Sequence, residues 1–499
     1  MNDEISSVLS NSGGSSSQTK STKCTKVLCT IGPASQAPET VKQLIDAGMN
    51  AARINTSHGE FEQYRTIIQT IRGIANIPIV MDTQGPKIRL RMASDVQLDV
   101  GDEIVAGFTP QDEAFLDAPV YEYLQEGDRA MIDDGAFEAI IVNKSDNHVR
   151  LKFSNGGFLV GGKAVNFPNR PLPLDPLTEK DKKSLVFATE NGVDFIALSF
   201  TRNRSDVAAA REFLKDSQVK IIAKIENQEG VDNIDEIIDV VDGVMVARGD
   251  LGVELAAEEV PIVQKRLIKK CNRAGKLVIT ATQMLQSMVR QPRPTRAEIS
   301  DVANAILDGS DVVMLSGETA TGDYPVEAVE MMNRIALYSE QFVVSEPFYS
   351  KTAEVERAIC DSIKSLCETA GVTKIVSVTR RGFTAKMISR LRLKQEILAL
   401  TSSEEAFREL HMYYGVSPVM CANIAFSIRT ITAGLYLYGK GWIQEDDLVL
   451  YASAEYHPRD RRTNTLQIIR MKDLMAYHDE FENDLPLKIA EIDHPQKTK

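Results

Sequence analysis

Two apolar runs near the middle of the chain, Ile221 to Ile225 and Val244 to Ala247, each end in charge: Lys224 and Glu226 at the first, Arg248 and Asp250 at the second. Runs of this length that turn polar at one end are predicted to be buried parallel strands. Lys224 and Glu226 lie two apart and share one face of an extended chain, and Asp250 leaves the next strand at a similar height. Two carboxylates and a lysine at adjacent strand ends can hold a divalent ion against an anionic oxygen. Surface salt bridges capping a sheet would use the same residue types about as often, so the other strand ends decide between the two.

Those ends repeat the pattern. The run ending in RINTSHG places Arg53, Asn55 and Ser57 on one alternating face, with His58 following. Arg53 can fork onto a phosphate, or it can be satisfied by a neighbouring carboxylate as a structural ion pair. The next run ends in MDTQGPKIR, where Asp82 and Thr83 offer oxygens and Lys87 and Arg89 offer charge. Further on, ATQML supplies the Thr282 hydroxyl, and LSGET supplies Ser316 and Glu318. Gathered around one mouth, these groups suit a trianionic substrate with a metal, hence phosphoryl chemistry. The chain has no Ser-His-Asp order, HExxH or Walker A loop to argue for another chemistry.

The elements that must position these residues are eight apolar runs alternating with amphipathic stretches: VLCTI, MNAARIN, PIVMDT, DFIALSF, KIIAKI, GVMVAR, KLVITA and DVVMLS. Eight βα units predict a closed (β/α)8 TIM barrel with its chemistry at the C-terminal strand ends, over residues 23–85 and 173–341. Residues 86–172 read as short alternating runs broken by Gly and Asp, a small inserted all-β lid domain. TEKD, beginning at Thr178, reads as a helix N-cap on the return to the barrel. Residues 342–499 alternate helix and strand as an open doubly wound α/β domain, ending after Arg470 in a strand's exit and a mobile acidic tail. Residues 1–22, rich in Ser and Gly, read as a disordered arm.

The 499 residues carry a net charge of -13, which disfavours nucleic acid as the main partner. Six cysteines without a CxxC pair indicate neither a zinc ribbon nor a disulfide framework, and fit a reducing cytoplasm. The sequence contains no run long enough to span a membrane and no signal-peptide core.

At this point the residues resemble a known family. CTIGPAS, ARINTSHG, MDTQGPKIR, IDDG, TEKD, AKIENQEG, VARGDLGVE, ATQMLQSM, PRPTRAEISDVANAILDGSD and MLSGETATGDYP occur in order, and the chain resembles pyruvate kinase over nearly all of residues 23–472. The resemblance implies phosphoryl transfer from phosphoenolpyruvate to ADP, giving ATP and pyruvate. It implies that Glu226 and Asp250 bind Mg2+ or Mn2+, and that Thr282 and the amides around Gly249 and Asp250 cradle the substrate carboxylate. Lys224 and Arg53 would meet the phosphoryl group, and Arg89, Asn55, His58, Pro33 and Lys180 would line the nucleotide side. Asp134 would reach in from the lid, and the enolate would be protonated near Thr282, Ser316 and Glu318. A homotetramer is implied as well.

Two departures from the commoner family pattern stand out. Many members bind potassium through residues matching Asn55, Ser57, Asp82 and Thr83 and carry Glu where this chain has Lys87. A fixed ammonium there would replace the potassium charge and repel a second cation, so activity without potassium is expected. In the third domain, TRRGFTA places Arg381 where Ser is usual. Thr379, Arg381 and Thr384 are the candidate contacts for a phosphorylated allosteric effector, with Arg459, Arg461 and Arg462 in the later YHPRDRRTN loop. Solvated basic loops would look the same. The alternatives are a metal-dependent lyase or mutase of phosphoenolpyruvate or pyruvate, which needs Glu226 and Asp250 but not Lys224 over a phosphate, and a non-catalytic scaffold, which would have lost these groups.

Overall fold

The computed structural model describes residues 23–215, 217–345, 354–421, 429–453 and 463–481. The expected N-terminal arm, the acidic tail beyond residue 481, and Arg459, Arg461 and Arg462 lie outside the described residues.

Eight parallel strands, numbered one to eight in chain order, form a closed barrel: Lys26–Thr30, Ala51–Asn55, Ile79–Asp82, Phe195–Leu198, Lys220–Ile225, Gly243–Ala247, Leu277–Ala281 and Val312–Leu315. Each strand pairs with its successor, and the eighth closes onto the first from Lys26↔Val312 to Cys29↔Leu315. The period of two along an extended chain sorts the side chains. In the fifth strand Ile221, Ala223 and Ile225 join the core beneath the helices, while Ile222 joins the inner cluster with Val80 and Met245. Lys224 therefore continues the inward-facing row above Ile222, as Asp82 does above Val80 and Arg53 above Ala51. Between these three and Lys26, which lies at the opposite end and donates to Val416 O at 2.8 Å, the inner cluster is apolar.

Between the third and fourth strands the chain leaves the barrel to build a seven-stranded antiparallel sheet and a separate two-stranded sheet, Val96–Leu98 with Gly157–Leu159. This β domain has its own core, including Leu90, Leu116, Ile132, Leu151 and Phe153. On the return Thr178 caps the helix Glu179–Glu190 in a capping box with Asp181, as TEKD predicts. The Asp181 carboxylate also accepts from the Gln84 and Gly85 amides at 2.8 and 3.2 Å, which fastens the exit and the return of the excursion together. Gly85 adopts φ 71°, and a Cβ there would lie within 2.8 Å of Ser199 and Phe200, so a side chain would displace the loop that carries Ser199.

The C-terminal domain is a five-stranded sheet ordered Val416–Met420, Glu396–Thr401, Lys374–Val378, Leu448–Ser453 and Thr465–Arg470. Four strands are parallel and the last is antiparallel. Here one expectation is corrected. The stretch after Arg470 begins as a helix, Met471–Phe481, because Met471 and Leu474, three apart, bury against the sheet. The domain is fixed to the barrel's far end by the buried pair Arg392–Asp311 at 2.6 Å and by Arg408–Asp194 at 2.6 Å. No helix among the described residues is long and apolar enough to cross a membrane.

Candidate functional site

Barrel closure brings the inward charges of the second, third and fifth strands into one buried row. Arg53 Nε donates to Asp82 Oδ2 at 2.7 Å, and its Nη1 donates to Thr30 Oγ1 at 2.9 Å. Lys224 Nζ lies 3.1 Å from Asp82 Oδ1, 2.9 Å from Glu226 Oε1, and donates to Ser199 Oγ at 2.7 Å. Charge alternates along the row, so each group neutralises the next. Burial works against the Lys224 ammonium, but Asp82, Glu226 and Asp250 outweigh it and hold the lysine above its ordinary range. Burial likewise disfavours the Asp82 carboxylate, yet Lys224 and Arg53 hold it below the usual carboxylate range.

Glu226 moves the other way. Burial first, then the nearby Asp250 and Asp82, raise it towards neutrality despite Lys224. Its Oε2 accepts from the Phe200 amide at 2.7 Å, while the buried Oε1 has the Lys224 ammonium at 2.9 Å and no other polar partner. A buried carboxylate oxygen outside any directed hydrogen bond, among acids, fits a divalent cation, whose charge would reverse the upward shift. Among the described residues no three His, Cys, Asp or Glu side chains are grouped so as to hold a metal ion by themselves.

Asp250 sits in the first turn of the short helix Arg248–Glu254, which starts where the sixth strand ends. Lys87 Nζ reaches it at 3.3 Å while lying 5.2 Å from the centre of the Phe200 ring. Lys87 thus points into the mouth, against Asp250. The seventh strand exits into Thr282 and Gln283, both at positive φ, 67° and 54°. The Thr282 hydroxyl accepts from the Gly249 amide at 2.7 Å and donates to Ala281 O at 2.6 Å. From the eighth strand, Glu318 is buried and accepts from the Leu285 and Ser316 amides at 3.0 and 2.8 Å, while the buried Ser316 Oγ has no hydrogen-bond partner.

The remaining sequence candidates spread along the rim. Asn55 Oδ1 accepts from the Ser57 amide at 3.1 Å, Thr83 Oγ1 accepts from the Ser199 amide at 3.0 Å, and Ser57 and His58 are exposed. Lys180 Nζ bonds Gly59 O at 3.2 Å, tying the return helix to the same loop, and Pro33 lies in the loop after the first strand. Arg89 belongs to the inserted domain, where its Nη1 donates to Gly162 O at 2.9 Å. Asp134 is exposed at φ 53° in the turn whose Gly135 faces Val253 of the Asp250 helix. A second tie links the domains, Asn166 Nδ2 to Glu254 Oε1 at 2.7 Å, beside a cleft of about 370 Å³ bounded also by Lys87, Phe167 and Phe200. In the third domain Arg381 is exposed and Thr379 is half-buried, but the Thr384 hydroxyl is buried against Thr463 Oγ1 at 2.8 Å.

Sequence reasoning missed Ser199, which bridges Lys224, the Thr83 carbonyl at 2.7 Å and Asp82 Oδ1 at 3.3 Å. The available signal was its place at the end of DFIALSF, the one strand to which no site residue was assigned. Arg248, Asn166 and Glu254 were missed as well.

Comparison with known proteins agrees with this fold. A family model described as "Pyruvate kinase, barrel domain" matches residues 22–329, and one described as "Pyruvate kinase, alpha/beta domain" matches residues 357–469. Curated relatives named pyruvate kinase include one from Bacillus licheniformis, 48% identical over 79% of this chain and 71% of its own. Another, from Sporosarcina psychrophila, is 46% identical with the same coverage. A third, from Geobacillus stearothermophilus, is 42% identical over 91% of this chain and 81% of its own. The lyase or mutase reading is not favoured by these matches, and the chain belongs to the pyruvate kinase family of phosphotransferases.

Proposed function

We propose that the chain transfers the phosphoryl group of phosphoenolpyruvate to ADP, yielding pyruvate and ATP, the last step of glycolysis. The observation that carries the reading is the buried row Arg53–Asp82–Lys224–Glu226, which keeps a lysine charged at the barrel mouth beside a carboxylate oxygen outside any directed hydrogen bond. In transfer, negative charge spreads over the equatorial oxygens of the migrating group. Lys224 and Arg53 meet that charge from positions already fixed by Asp82, so little reorganisation is needed in the transition state. Glu226 and Asp250 would hold Mg2+ or Mn2+, and the bound ion would supply Lewis-acid stabilisation of the negative charge that develops on the substrate. Thr282 and the Gly249 and Asp250 amides orient the substrate carboxylate. The enolate carbon then takes a proton through water near Thr282, with Ser316 and Glu318 lining the route.

Arg89, Asn55, His58, Pro33 and Lys180 line the nucleotide side, and Asp134 enters when the inserted domain closes and sheds water. Lys87 stands in for the potassium held elsewhere by the counterparts of Asn55, Ser57, Asp82 and Thr83, so turnover needs no potassium. The protein works in the cytoplasm as a homotetramer, and a phosphorylated effector binds near Thr379, Arg381 and Thr384. Light scattering and calorimetric titration with sugar phosphates test these last two statements, and a monomer or an absence of heat would refute them.

The deciding experiment couples ATP formation to a chromogenic reaction, with phosphoenolpyruvate, ADP and Mg2+ as inputs. The intact chain should turn over. Lys224→Met should lose about 10³-fold in kcat, the scale of removing a preorganised charge donor, while keeping its circular dichroism spectrum and Mn2+ binding. No ATP from the intact chain, or undiminished ATP from Lys224→Met, would overturn the reading.

A further inference from the structure

Arg248 lies one residue before Gly249 and two before Asp250, yet its side chain turns away from the mouth. Its guanidinium is 8% exposed and crosses behind the exit of the seventh strand. Nη2 donates to Thr282 O at 2.8 Å and Gln283 O at 3.2 Å. Nη1 is held from behind by Gln264 Oε1 at 3.2 Å and by Asp301, with Oδ2 at 2.7 Å. The two carbonyls it grips belong to Thr282 and Gln283, the consecutive non-glycine residues at positive φ. Left-handed backbone is uncommon for any side chain and more so for a β-branched one, and it persists where surrounding contacts over-determine it. Nη2 alone spans both carbonyls while the bonds of Nη1 keep the guanidinium plane aimed at them; front and rear together supply that constraint, and a single ammonium cannot reach both.

We infer that Arg248 is a positioning residue: by gripping both carbonyls it holds the Thr282–Gln283 turn in its left-handed form. The Thr282 hydroxyl then stays on the Gly249 amide, and the two sides of the substrate-carboxylate cradle act as one rigid unit. The bond that registers this coupling is Gly249 N to Thr282 Oγ1, 2.7 Å. Arg248 touches neither substrate nor metal ligand in this scheme; it acts through Thr282. The catalytic part of the inference rests on the proposed phosphoryl transfer, whereas the structural part does not.

The test uses Arg248→Lys in the full chain. Hydrogen exchange at the Gly249 amide, read against the sixth-strand amides, needs no substrate and should speed at least about tenfold, as for a locally opened bond. In the coupled assay kcat should fall about 10²-fold, the scale of a 1 Å misplacement, with the KM for ADP unchanged. Arg248→Lys combined with Thr282→Ala should be no slower than Thr282→Ala alone, because residues acting as one unit are not additive. Unchanged exchange at Gly249, additive losses in the double variant, or wild-type kcat with only a lowered Tm would each overturn the inference. Failure of the intact chain to make ATP would sink the functional reading and leave the exchange result standing. If Arg248→Lys does not fold, Gln264→Met, which removes one rear anchor, is judged by the same exchange and additivity criteria.

Discussion

Replacing Lys87 separates a structural lysine from a working one. Its ammonium lies 3.3 Å from Asp250 Oδ1, and both side chains are about a quarter exposed, 26% and 27%. At that distance and an effective dielectric near 20 the gross attraction is about 5 kcal/mol. Solvent screening and the entropy of pinning a long side chain reduce this to about 1–2 kcal/mol net. That is a factor of roughly 5–30 in an equilibrium or a rate ratio. That pair must part before a cation takes the Asp250 oxygen, so its loss does not itself slow turnover. Lys87→Met also removes a positive charge from the mouth. Losing a contact of about 1.4 kcal/mol to the anionic substrate should lower kcat/KM for phosphoenolpyruvate about tenfold in potassium-free buffer, with potassium restoring part of it. Lys87→Glu reverses the charge, doubles the electrostatic change and should cost roughly the square of that factor, because the free energies add and the factors multiply. Potassium should restore most of that loss.

A second readout runs in the opposite direction. Lys87 competes with any cation for the Asp250 oxygen, so Lys87→Met should bind Mn2+ more tightly without substrate, by at most the same 5–30-fold factor. Steady-state kinetics in sodium- and potassium-free buffer and Mn2+ titration followed by paramagnetic resonance measure the two effects. Equal kcat/KM for the intact chain and Lys87→Met would refute the assignment. A gain above tenfold when potassium is added to the intact chain would do so as well.

Two other expectations follow from groups away from Lys87. Asp82→Asn leaves Arg53 and Lys224 buried with their shared counter-charge gone, which should cost about 3–5 kcal/mol of stability and abolish transfer. Urea unfolding checks the first part, and a change under 1 kcal/mol would show that the row is not coupled through Asp82. His411 is partly buried and held down to about 4 by burial, offset in part by its bond to Phe407 O, and lowered further by the nearby Lys26 charge. Its folded pKa lies below its unfolded value of 6.5, so the unfolded chain binds the extra proton between those limits. Its contribution is present above pH 6.5 and is lost as pH falls towards 4. Comparing unfolding midpoints of the intact chain and His411→Gln at pH 7 and pH 4.5 should show a smaller acid loss in the variant, by up to about 3 kcal/mol before discounting the exposed part of the ring. An identical acid loss in both proteins would refute it.

What the sequence disclosed depended on whether neighbours in space were legible as neighbours in pattern. The eight strands announce themselves as apolar runs, and the period of two puts Arg53 with Asn55 and Lys224 with Glu226 on shared faces, but which face turns inward is seen only once the barrel closes. Their pairing does not follow from that pattern. Arg53 taken alone reads more readily as half of an ion pair than as a phosphate ligand, and the structure makes the pair, Arg53–Asp82, at the very place where the ligand role requires a fixed guanidinium. Ser199 was invisible because the strand before it is separated from the third strand by the whole inserted domain, and only closure with Ala197 opposite Asp82 puts its hydroxyl between them. Arg248 was read as one more charge at a strand end. Its partners are backbone carbonyls at positive φ, which no side-chain pattern records. The helix Met471–Phe481 carried a readable spacing, Met471 and Leu474, but the acidic residues around it suggested a tail.

The arrangement of the buried row explains how one lysine stays charged while deeply enclosed. An isolated buried ammonium would lose its proton, since desolvation penalises the charged form. Asp82 prevents this by facing two cations at once, Arg53 on one oxygen and Lys224 on the other, so that each cation's charge stabilises the acid and the acid stabilises both. Glu226 completes the row but stays under-bonded at Oε1, which leaves one negative oxygen available beside a fixed positive charge. A row with equal numbers of acids and bases, all mutually satisfied, would be a structural network and nothing more. On the proposed function, the Glu226 oxygen outside any directed hydrogen bond, with Asp250 paired only to a quarter-exposed Lys87, would let a cation enter without dismantling the charges around Asp82.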